Sequence, residues 1–425
     1  MRRIARRSPA GLSCASGRGR QPRRGNLRMT TNAYHQALSR AALEDAWLRL
    51  YRKTKPSSRN TTGVDDVSIN DFERDAKLHL SRLNKDVRQG TFQLSALKPF
   101  LIPKQNGKDR LICVPTVRDR IVQRALLDFL AKKYGKVLAN EISYGFVQHR
   151  SVKRAAEAAI SLRTKFQWVF KTDITSFFDR IPRPHLTEAI RSLVKERTLH
   201  PILDHVIASE ISSTSRGNEQ RIRKLGIRNG LGVRQGMPLS PFFANVVLIE
   251  FDREVVQKKW RAVRYADDLI FFGHTQSECL EIAERCKHML AKLGLEIPDI
   301  GPQSKSSLHA PHEAVEFLGL SLEPAAGSYV LSLSTKQRQR IREEMLALGS
   351  IEELVSRRVG LSDLGRVIAA KKAGYLAAYD VCSNIAELEH VLDDITHKVL
   401  HRIYVDGLHI DLTKLSPAAR RFLSI

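Results

Sequence analysis

The sequence of 425 residues predicts an α+β fold, because helical and hairpin-like segments follow one another along the chain. Residues 67–90 and 116–135 repeat apolar side chains at helical spacing. Between them, residues 100–115 form two short apolar runs joined by an Asn-Gly turn, the pattern of a β-hairpin. Asp267 and Asp268 lie between two further strand-like runs. Hairpins interspersed with helices favour antiparallel sheets packed against helices.

The charge balance predicts a nucleic-acid partner. Lys and Arg number 70 against 45 acidic residues, a formal net charge of +25. Such an excess is typical of proteins that lie along phosphate backbones, although a solvated basic surface or a membrane-facing patch stays possible on charge alone. Because no apolar run approaches the ~18 residues needed to cross a bilayer, we expect no membrane partner.

The cysteines predict a reduced, cytoplasmic protein. They form no C-x-x-C pair and no zinc-finger spacing, and spacing alone suggests that Cys279 and Cys286 are core residues of one helix. The five cysteines are Cys14, Cys113, Cys279, Cys286 and Cys382.

The first 28 residues differ from the rest of the chain. They hold nine arginines, no acidic residue and few large apolar side chains, so they cannot build a core. We expect a disordered tail without an essential role. A basic arm for nucleic acid, a targeting segment or an extension upstream of a true start at Met29 are the alternatives.

Three aspartates mark a candidate site. An apolar run over residues 168–170 leads to Asp173 near a strand end, and Asp267 and Asp268 occupy the turn between two strands. If that hairpin lies beside the Asp173 strand, the three carboxylates converge. Two carboxylates ~4 Å apart repel by about 4 kcal/mol at an effective dielectric of 20, and hard divalent cations, above all Mg²⁺, offset such repulsion. Two such ions ~3.5–4 Å apart support in-line nucleotidyl transfer. The alternative is that the Asp pair only forms a polar turn.

Eight stretches of the sequence follow one another in a fixed order within residues 61–325. They are TTGVDDVSINDFE, LIPKQNGKDRLICVPTVRDRIVQRALLDFL, SYGFVQHRSVKRAA, FKTDITSFFDRI, RQGMPLSPFFANVVL, RYADDLIFFG, LGLEI with Lys305-Ser306, and EFLGLSL. In this order they resemble the motifs of a bacterial reverse transcriptase with a group II intron-like core. The resemblance implies a right-hand polymerase fold, with fingers, a palm built on an antiparallel sheet, and a helical thumb. After the basic tail (1–28), it divides the chain into N-terminal helices and fingers (29–170), a palm with interleaved fingers elements (171–325), and a helical thumb with a C-terminal tail (326–425).

The resemblance also implies roles for single residues. Asp173, Asp267 and Asp268 match the metal-binding carboxylates, which would hold two Mg²⁺ ions, with Mn²⁺ as a possible substitute. Arg110 and Lys104 match basic residues that neutralise the incoming triphosphate, where a planar guanidinium suits bidentate contact. The alternative for these two is a solvated basic hairpin.

Three further residues match the nucleotide pocket of the family. Gln235 matches a glutamine that lines this pocket, and Lys305 matches a lysine near the pyrophosphate, after a longer spacer than usual. Val233-Arg234 stands where a Thr-Pro pair is common in group II relatives, so we expect a different pocket floor. Phe178, five residues after Asp173, matches a bulky aromatic under the sugar that excludes ribonucleotides; the alternative is a core residue.

The segment beyond Leu320 is helical in character, as expected of a thumb that grips a template–primer duplex. Four basic residues near its start are candidate phosphate contacts, although a solvated helix face would show the same pattern. They are Lys336, Arg338, Arg340 and Arg342.

The predicted function is RNA-directed DNA polymerase. Such an enzyme would make cDNA from a structured RNA template, using a DNA or RNA primer and deoxynucleoside triphosphates. The short helical segment after the thumb and the lack of a Cys/His cluster make the chain similar to the stand-alone, defence-associated reverse transcriptases of bacteria. A group II intron maturase is the first alternative, and a non-catalytic RNA-binding scaffold with the same fold is the second.

Overall fold

The computed structural model describes residues 32–103, 107, 109–357 and 359–423. This part of the chain forms eighteen α-helices and nine β-strands, with short 3₁₀ and π-helical turns between them. The predicted basic tail over residues 1–28 and the predicted phosphate contact Lys104 lie outside the described residues.

The N-terminal region combines five helices with the predicted hairpin. Strands β1 and β2 pair antiparallel, with Ile102 opposite Arg110, which confirms the hairpin. The single helix predicted over residues 67–90 is wrong, because Asp75 leaves the helical conformation (φ −124°, ψ 35°) and divides the segment into α3 and α4. The elements are α1 (Ala33–Ala37), α2 (Arg40–Lys53), α3 (Ile69–Arg74), α4 (Ala76–Gln89), β1 (Lys98–Pro103), β2 (Asp109–Val114) and α5 (Val117–Leu138).

The central region is built on a four-stranded antiparallel sheet with the strand order β4-β5-β3-β6. Helix α13 begins after Thr275, whose side chain accepts a hydrogen bond from the backbone N–H of Glu278. The strands are β3 (Trp168–Asp173), β4 (Arg261–Tyr265), β5 (Asp268–Gly273) and β6 (Ser307–His309). The helices are α6 (Val152–Lys165), α7 (Phe177–Arg180), α8 (Arg183–Leu193), α9 (His200–Ile207), α10 (Arg216–Lys224), α11 (Ser240–Val247), α12 (Ile249–Gln257) and α13 (Gln276–Lys292).

The C-terminal region opens with a second antiparallel sheet, β7-β8-β9, and continues as helices. The prediction of a helical segment beyond Leu320 is confirmed from Thr335 onward. It is wrong for the residues before Thr335, which form β8 and β9, because Tyr329, Leu331 and Leu333 recur at the two-residue period of a strand. The elements are β7 (Val315–Phe317), β8 (Leu320–Ala325), β9 (Ser328–Leu333), α14 (Thr335–Leu346), α15 (Ile351–Ser356), α16 (Leu361–Ala378), α17 (Ile385–His401) and α18 (Pro417–Phe422).

The central sheet is buried on both faces, because successive residues of its strands enter different cores. Phe170 and Phe271 belong to the core shared with the N-terminal helices and α13. Their neighbours Val169 and Ile270 belong to a second core, shared with α6 and the C-terminal helices. The proposed boundary between residues 170 and 171 falls inside β3, so the predicted division describes regions of a continuous structure.

The cysteines of the described residues are free and buried: Cys113, Cys279, Cys286 and Cys382. Burial raises the pKa of all four thiols, so they are un-ionised at neutral pH and poorly reactive. Within the described chain, no helix is both long and apolar enough to cross a membrane.

Candidate active site

The three predicted aspartates meet at one end of the central sheet. Asp173, the last residue of β3, lies directly opposite Asp268, the first residue of β5. The next residue, Ile174, donates its backbone N–H to the carbonyl oxygen of Asp267 at 3.1 Å. All three aspartates are half-buried. The backbone register therefore fixes the convergence that the sequence analysis inferred from two separate segments.

The turn that carries the aspartate pair has an unusual conformation. Ala266 adopts a positive φ of 58°, a region that residues with a side chain rarely occupy. The neighbouring chain approaches so closely that a Cβ on Gly145 would lie 2.3 Å from the backbone nitrogen of Ala266. Glycine is therefore required at position 145 for the turn to lie where it does.

Burial and the negative charges of their neighbours raise the pKa values of Asp267 and Asp268. Burial raises the pKa of Asp267, and the negative charge of Asp173 raises it further. Burial, followed by the charges of Asp267 and Asp173, raises the pKa of Asp268 to about 6, although Lys171 and Lys305 act in the opposite direction. The acids therefore repel one another more than the surrounding lysines compensate, and the site favours additional positive charge.

Lys305 lies at the carboxylates. Its ammonium group donates to Oδ1 of Asp173 at 2.5 Å. Two contacts hold the segment after Lys305 against β3: a buried hydrogen bond of 2.6 Å between the hydroxyls of Thr172 and Ser306, and the pairing of Ser307 with Lys171. The longer spacer before Lys305 therefore does not remove it from the site.

The chemistry of the donor set fits divalent cations. Carboxylate oxygens are the ligands that Mg²⁺ and Mn²⁺ take, and their mutual repulsion falls when a cation lies between them. As the side chains of the described residues stand, no group of three or more His, Cys, Asp or Glu is arranged to hold an ion. The ammonium group of Lys305 contacts Asp173 instead, so a cation at this carboxylate would compete with Lys305.

Three of the residues predicted to contact the nucleotide meet at one loop, residues 230–236, which we call the pocket loop. Nε of Arg110 donates to Oε1 of Gln235 at 2.8 Å. The backbone N–H of Val233 donates to the carbonyl oxygen of Phe178 at 2.8 Å. The charge of Arg110 opposes the rise that burial and Asp173 cause in the pKa of Asp267, which links this group to the carboxylates.

Phe178 and Phe177 have different environments. Phe177 is 2% exposed and belongs to the core, whereas Phe178 is only half-buried and packs at the edge of that core. The two rings lie 5.5 Å apart between centroids. Phe178 thus keeps an accessible face, which a residue that contacts a nucleotide sugar requires.

The four basic residues predicted to contact phosphate lie on the exposed surface of α14. Arg338 forms an ion pair with Glu387 at 3.4 Å, and Arg340 pairs with Glu344 at 3.1 Å. A nucleic-acid phosphate would have to compete with these carboxylates. Lys336 and Arg342 are also exposed, and the structure does not bring any of the four into contact with the aspartate site.

Sequence reasoning missed the side chain that supports the aspartate turn, Arg264. This arginine is 1% exposed and forms a bidentate ion pair with Asp252, at 2.7 Å from Nε and 2.5 Å from Nη2. Its Nη1 donates to the carbonyl oxygen of Ala266 at 3.2 Å and to Asn245 at 3.0 Å. The signal was present, since a charged residue inside an apolar strand is rarely buried without a partner.

Arg264 also ties the turn to the chain around Ser143. Its Nη2 donates to the hydroxyl of Ser143 at 2.7 Å, and its backbone pairs with Ile142 and Tyr144 at 2.7 Å each. Both the side chain and the backbone of Arg264 therefore hold the turn that contains Asp267 in place.

The chain belongs to the reverse transcriptase family. The family profile described as "Reverse transcriptase (RNA-dependent DNA polymerase)" matches residues 102–322, just over half of the chain. The match confirms the predicted family, the α+β fold class with its antiparallel sheets, and the enzyme class, RNA-directed DNA polymerase.

Three curated relatives illustrate the range of the family. Protein YkfC of Escherichia coli (strain K12) is 29% identical over 300 residues, 60% of this chain and 75% of YkfC. The group II intron-encoded protein LtrA of Lactococcus lactis subsp. cremoris is 24% identical over 236 residues, 54% of this chain and 37% of LtrA. The retron Mx65 reverse transcriptase of Myxococcus xanthus is 26% identical over 275 residues, 62% of this chain and 59% of the relative. The chain thus spans less than two thirds of the last two proteins.

A solved telomerase structure from Candida albicans, in complex with a fragment of telomeric RNA, is 15% identical, with a TM-score of 0.37. The similarity covers 81% of this chain and 66% of the telomerase chain.

We predict that Arg264→Met destabilises the protein by about 3–5 kcal/mol, because the substitution leaves the carboxylate of Asp252 buried without its cation. Urea unfolding followed by circular dichroism measures this. Arg285→Met, which removes an exposed helical ion pair with Glu281, is the matched control and should cost no more than about 0.5 kcal/mol. Removing both charges with Arg264→Met/Asp252→Leu should recover part of the loss. Equal effects of Arg264→Met and the control would contradict the assignment.

Proposed function

We propose that this chain copies an RNA template into DNA by two-metal nucleotidyl transfer, with Asp173, Asp267 and Asp268 as the metal-binding carboxylates. The observation that carries the proposal is the register of β3 with β5, which puts Asp173 opposite Asp268 at the end of a sheet buried on both faces. Membership of the reverse transcriptase family supports it.

The protein's own side chains would divide the work at this site. Bound Mg²⁺, or Mn²⁺ in its place, would activate the 3′-hydroxyl of the primer and stabilise the leaving pyrophosphate. Asp173, Asp267 and Asp268 would hold the ions, which requires ionised carboxylates, although burial and repulsion raise the pKa of Asp267 and Asp268. Lys305, released from Asp173, would be free to neutralise the pyrophosphate.

The incoming nucleotide would lie between the hairpin and the pocket loop. Arg110 is exposed and held by Gln235, so its guanidinium can turn toward a triphosphate without leaving its anchor. We assign Lys104, the next residue in the sequence after Pro103, to the same phosphates. Phe178 would lie under the sugar and exclude a 2′-hydroxyl.

The partners follow from charge and from these roles. A net charge of +25 suits a structured RNA template, a DNA or RNA primer and the duplex that they form. The regions are assigned as in the sequence analysis: fingers over 29–170, palm over 171–325 and thumb over 326–425. On the thumb, Lys336, Arg338, Arg340 and Arg342 would contact duplex phosphates.

The cellular role that we propose is anti-phage defence in the bacterial cytoplasm. This rests on the similarity to stand-alone reverse transcriptases. The second candidate is an intron maturase, which the similarity to the intron-encoded protein LtrA over 54% of this chain favours.

We predict that Asp267→Asn/Asp268→Asn abolishes primer extension on an RNA template with Mg²⁺ and deoxynucleotides, because amides cannot replace two anionic ligands. Asp299→Asn, which changes an aspartate that is 85% exposed, is the matched control and should extend like the wild type. Extension that is equal in all three proteins would overturn the assignment. A wild type that binds RNA without extending a primer would instead support the non-catalytic scaffold.

We predict that Phe178→Val raises the incorporation of ribonucleotides relative to deoxynucleotides by about 10- to 200-fold, because it removes a steric contact with the 2′-hydroxyl. Single-nucleotide insertion assays with each triphosphate measure the ratio of kcat/KM values. Phe100→Ala, at an exposed phenylalanine of β1, controls for the loss of an aromatic side chain. An unchanged ratio would show that Phe178 only fills the core edge.

We predict that bacteria expressing the wild type from its own locus resist phage, and that the Asp267→Asn/Asp268→Asn strain does not. The efficiency of phage plating is the measurement. Equal protection of both strains would show that defence does not depend on catalysis. Loss of splicing of a flanking intron RNA in cells without the protein would favour the maturase.

A further inference from the structure

The pocket loop is anchored by a buried arginine. The side chain of Arg234, next to Gln235, is fully buried. A buried guanidinium is unfavourable unless it is paired, so its contacts determine whether the loop can hold this conformation. Nη2 of Arg234 donates to Oε2 of Glu210 at 2.6 Å and to the carbonyl oxygen of Arg228 at 2.8 Å, and Nη1 donates to that of Leu231 at 3.1 Å.

Glu210 connects this arginine to the start of the loop and to α8. Its Oε1 accepts hydrogen bonds from Nη1 of Arg183 at 2.7 Å and from the backbone N–H of Gly230 at 2.8 Å. Burial acts to raise the pKa of Glu210, but the hydrogen bonds from Gly230, Arg234 and Arg183 outweigh it and hold the pKa below its ordinary value. Glu210 is thus an ionised centre between two arginines. Nε of Arg183 also donates to the carbonyl oxygen of Gly232 at 2.9 Å.

The far end of the pocket loop is fixed to β2 by its backbone. The N–H of Cys113 donates to the carbonyl oxygen of Gln235 at 2.7 Å. Gly236, at φ 109°, lies so close that a Cβ there would be 2.2 Å from the carbonyl oxygen of Cys113. The hydroxyl of Ser240 donates to the carbonyl oxygen of Arg234 at 2.8 Å. The backbone at Gln235 is therefore held between Glu210, through Arg234, on one side and β2 on the other.

We infer that Arg234 and Glu210 are positioning residues for the incoming nucleotide. Their ion pair sets where Gln235 meets Arg110, and through that contact it sets the affinity for deoxynucleoside triphosphates. The inference rests on the proposed function, because it takes Gln235 and Arg110 to contact the nucleotide. Neither Arg234 nor Glu210 forms a hydrogen bond to the three aspartates, so the expected effect is on nucleotide binding and not on the chemical step.

The position of the pocket loop affects two predicted nucleotide contacts at once. Val233 donates to the carbonyl oxygen of Phe178, and Gln235 accepts from Arg110, so a shift of the loop moves the residues expected at the sugar and at the triphosphate together.

The test compares Arg234→Met, Arg234→Lys and Glu210→Gln with the wild type. Arg191→Met is the matched control. It removes an ion pair with Asp204, at 2.8 Å, from α8, the helix that also carries Arg183, and Arg191 forms no hydrogen bond to the pocket loop. Two quantities are measured for each protein: the KM for deoxynucleotides with kcat in primer extension, and the Kd of a fluorescent deoxynucleoside triphosphate on a complex whose primer end is a dideoxynucleotide.

We expect Arg234→Met and Glu210→Gln to raise KM and Kd roughly tenfold or more while kcat and the affinity for template–primer stay close to those of the wild type. The KM and Kd of Arg234→Lys should lie between those of the wild type and of Arg234→Met, because an ammonium keeps the charge but cannot reach all three acceptors. The control should match the wild type. If Arg234→Met does not fold, Glu210→Gln, which keeps the side-chain size, decides the outcome.

A merely structural role would lower the melting temperature and the fraction of active enzyme but leave KM and Kd unchanged, and that result would overturn the inference. A wild type that binds the nucleotide analogue and extends primers, with variants that bind equally well, removes the inference alone. A wild type that neither extends primers nor binds the analogue removes the proposed function and the inference with it.

Discussion

The register between β3 and β5 is the constraint on which the rest of the site depends. It places Asp173 opposite Asp268, and the carbonyl oxygen of Asp267 accepts a hydrogen bond from Ile174, the residue after β3. Backbone hydrogen bonds therefore keep the backbone of the three aspartates close together. The burial of the sheet on both faces and the hydrogen bond from Arg264 to the turn also hold this backbone in place. A site with an excess of negative charge is thereby kept ready for cations.

Several basic side chains act on the three aspartates. Lys305 and Lys171 lie nearest, and Arg110 acts on Asp267 from the hairpin. The sequence as a whole carries a net charge of +25. Cations would bind at the acids, whereas the phosphates of nucleotide and nucleic acid would bind to the surrounding lysines and arginines. In the pocket loop, the positive charge of Arg234 can be buried because Glu210 is its partner.

Local patterns predicted the features that depend on neighbouring residues. The Asn-Gly hairpin, the strand leading to Asp173 and the hairpin with Asp267 and Asp268 all follow from turn chemistry and apolar alternation. Features that depend on distant partners were missed, such as the contact of Arg264 with Asp252 and Ser143. The break at Asp75 was missed because the segments on both sides keep helical spacing. The place of Lys305 at Asp173 came from the family resemblance, since the pairing of β6 with β3 cannot be deduced from the spacer.

The most direct test counts the divalent ions that the aspartates bind. Electron paramagnetic resonance of free Mn²⁺ gives this number for the protein with template–primer and a deoxynucleoside triphosphate, where the nucleotide alone defines the background. We expect two bound ions in the wild type and a clear loss in Asp173→Asn and Asp268→Asn. The same number of bound ions in the wild type and in both variants would contradict the assignment of these carboxylates as metal ligands.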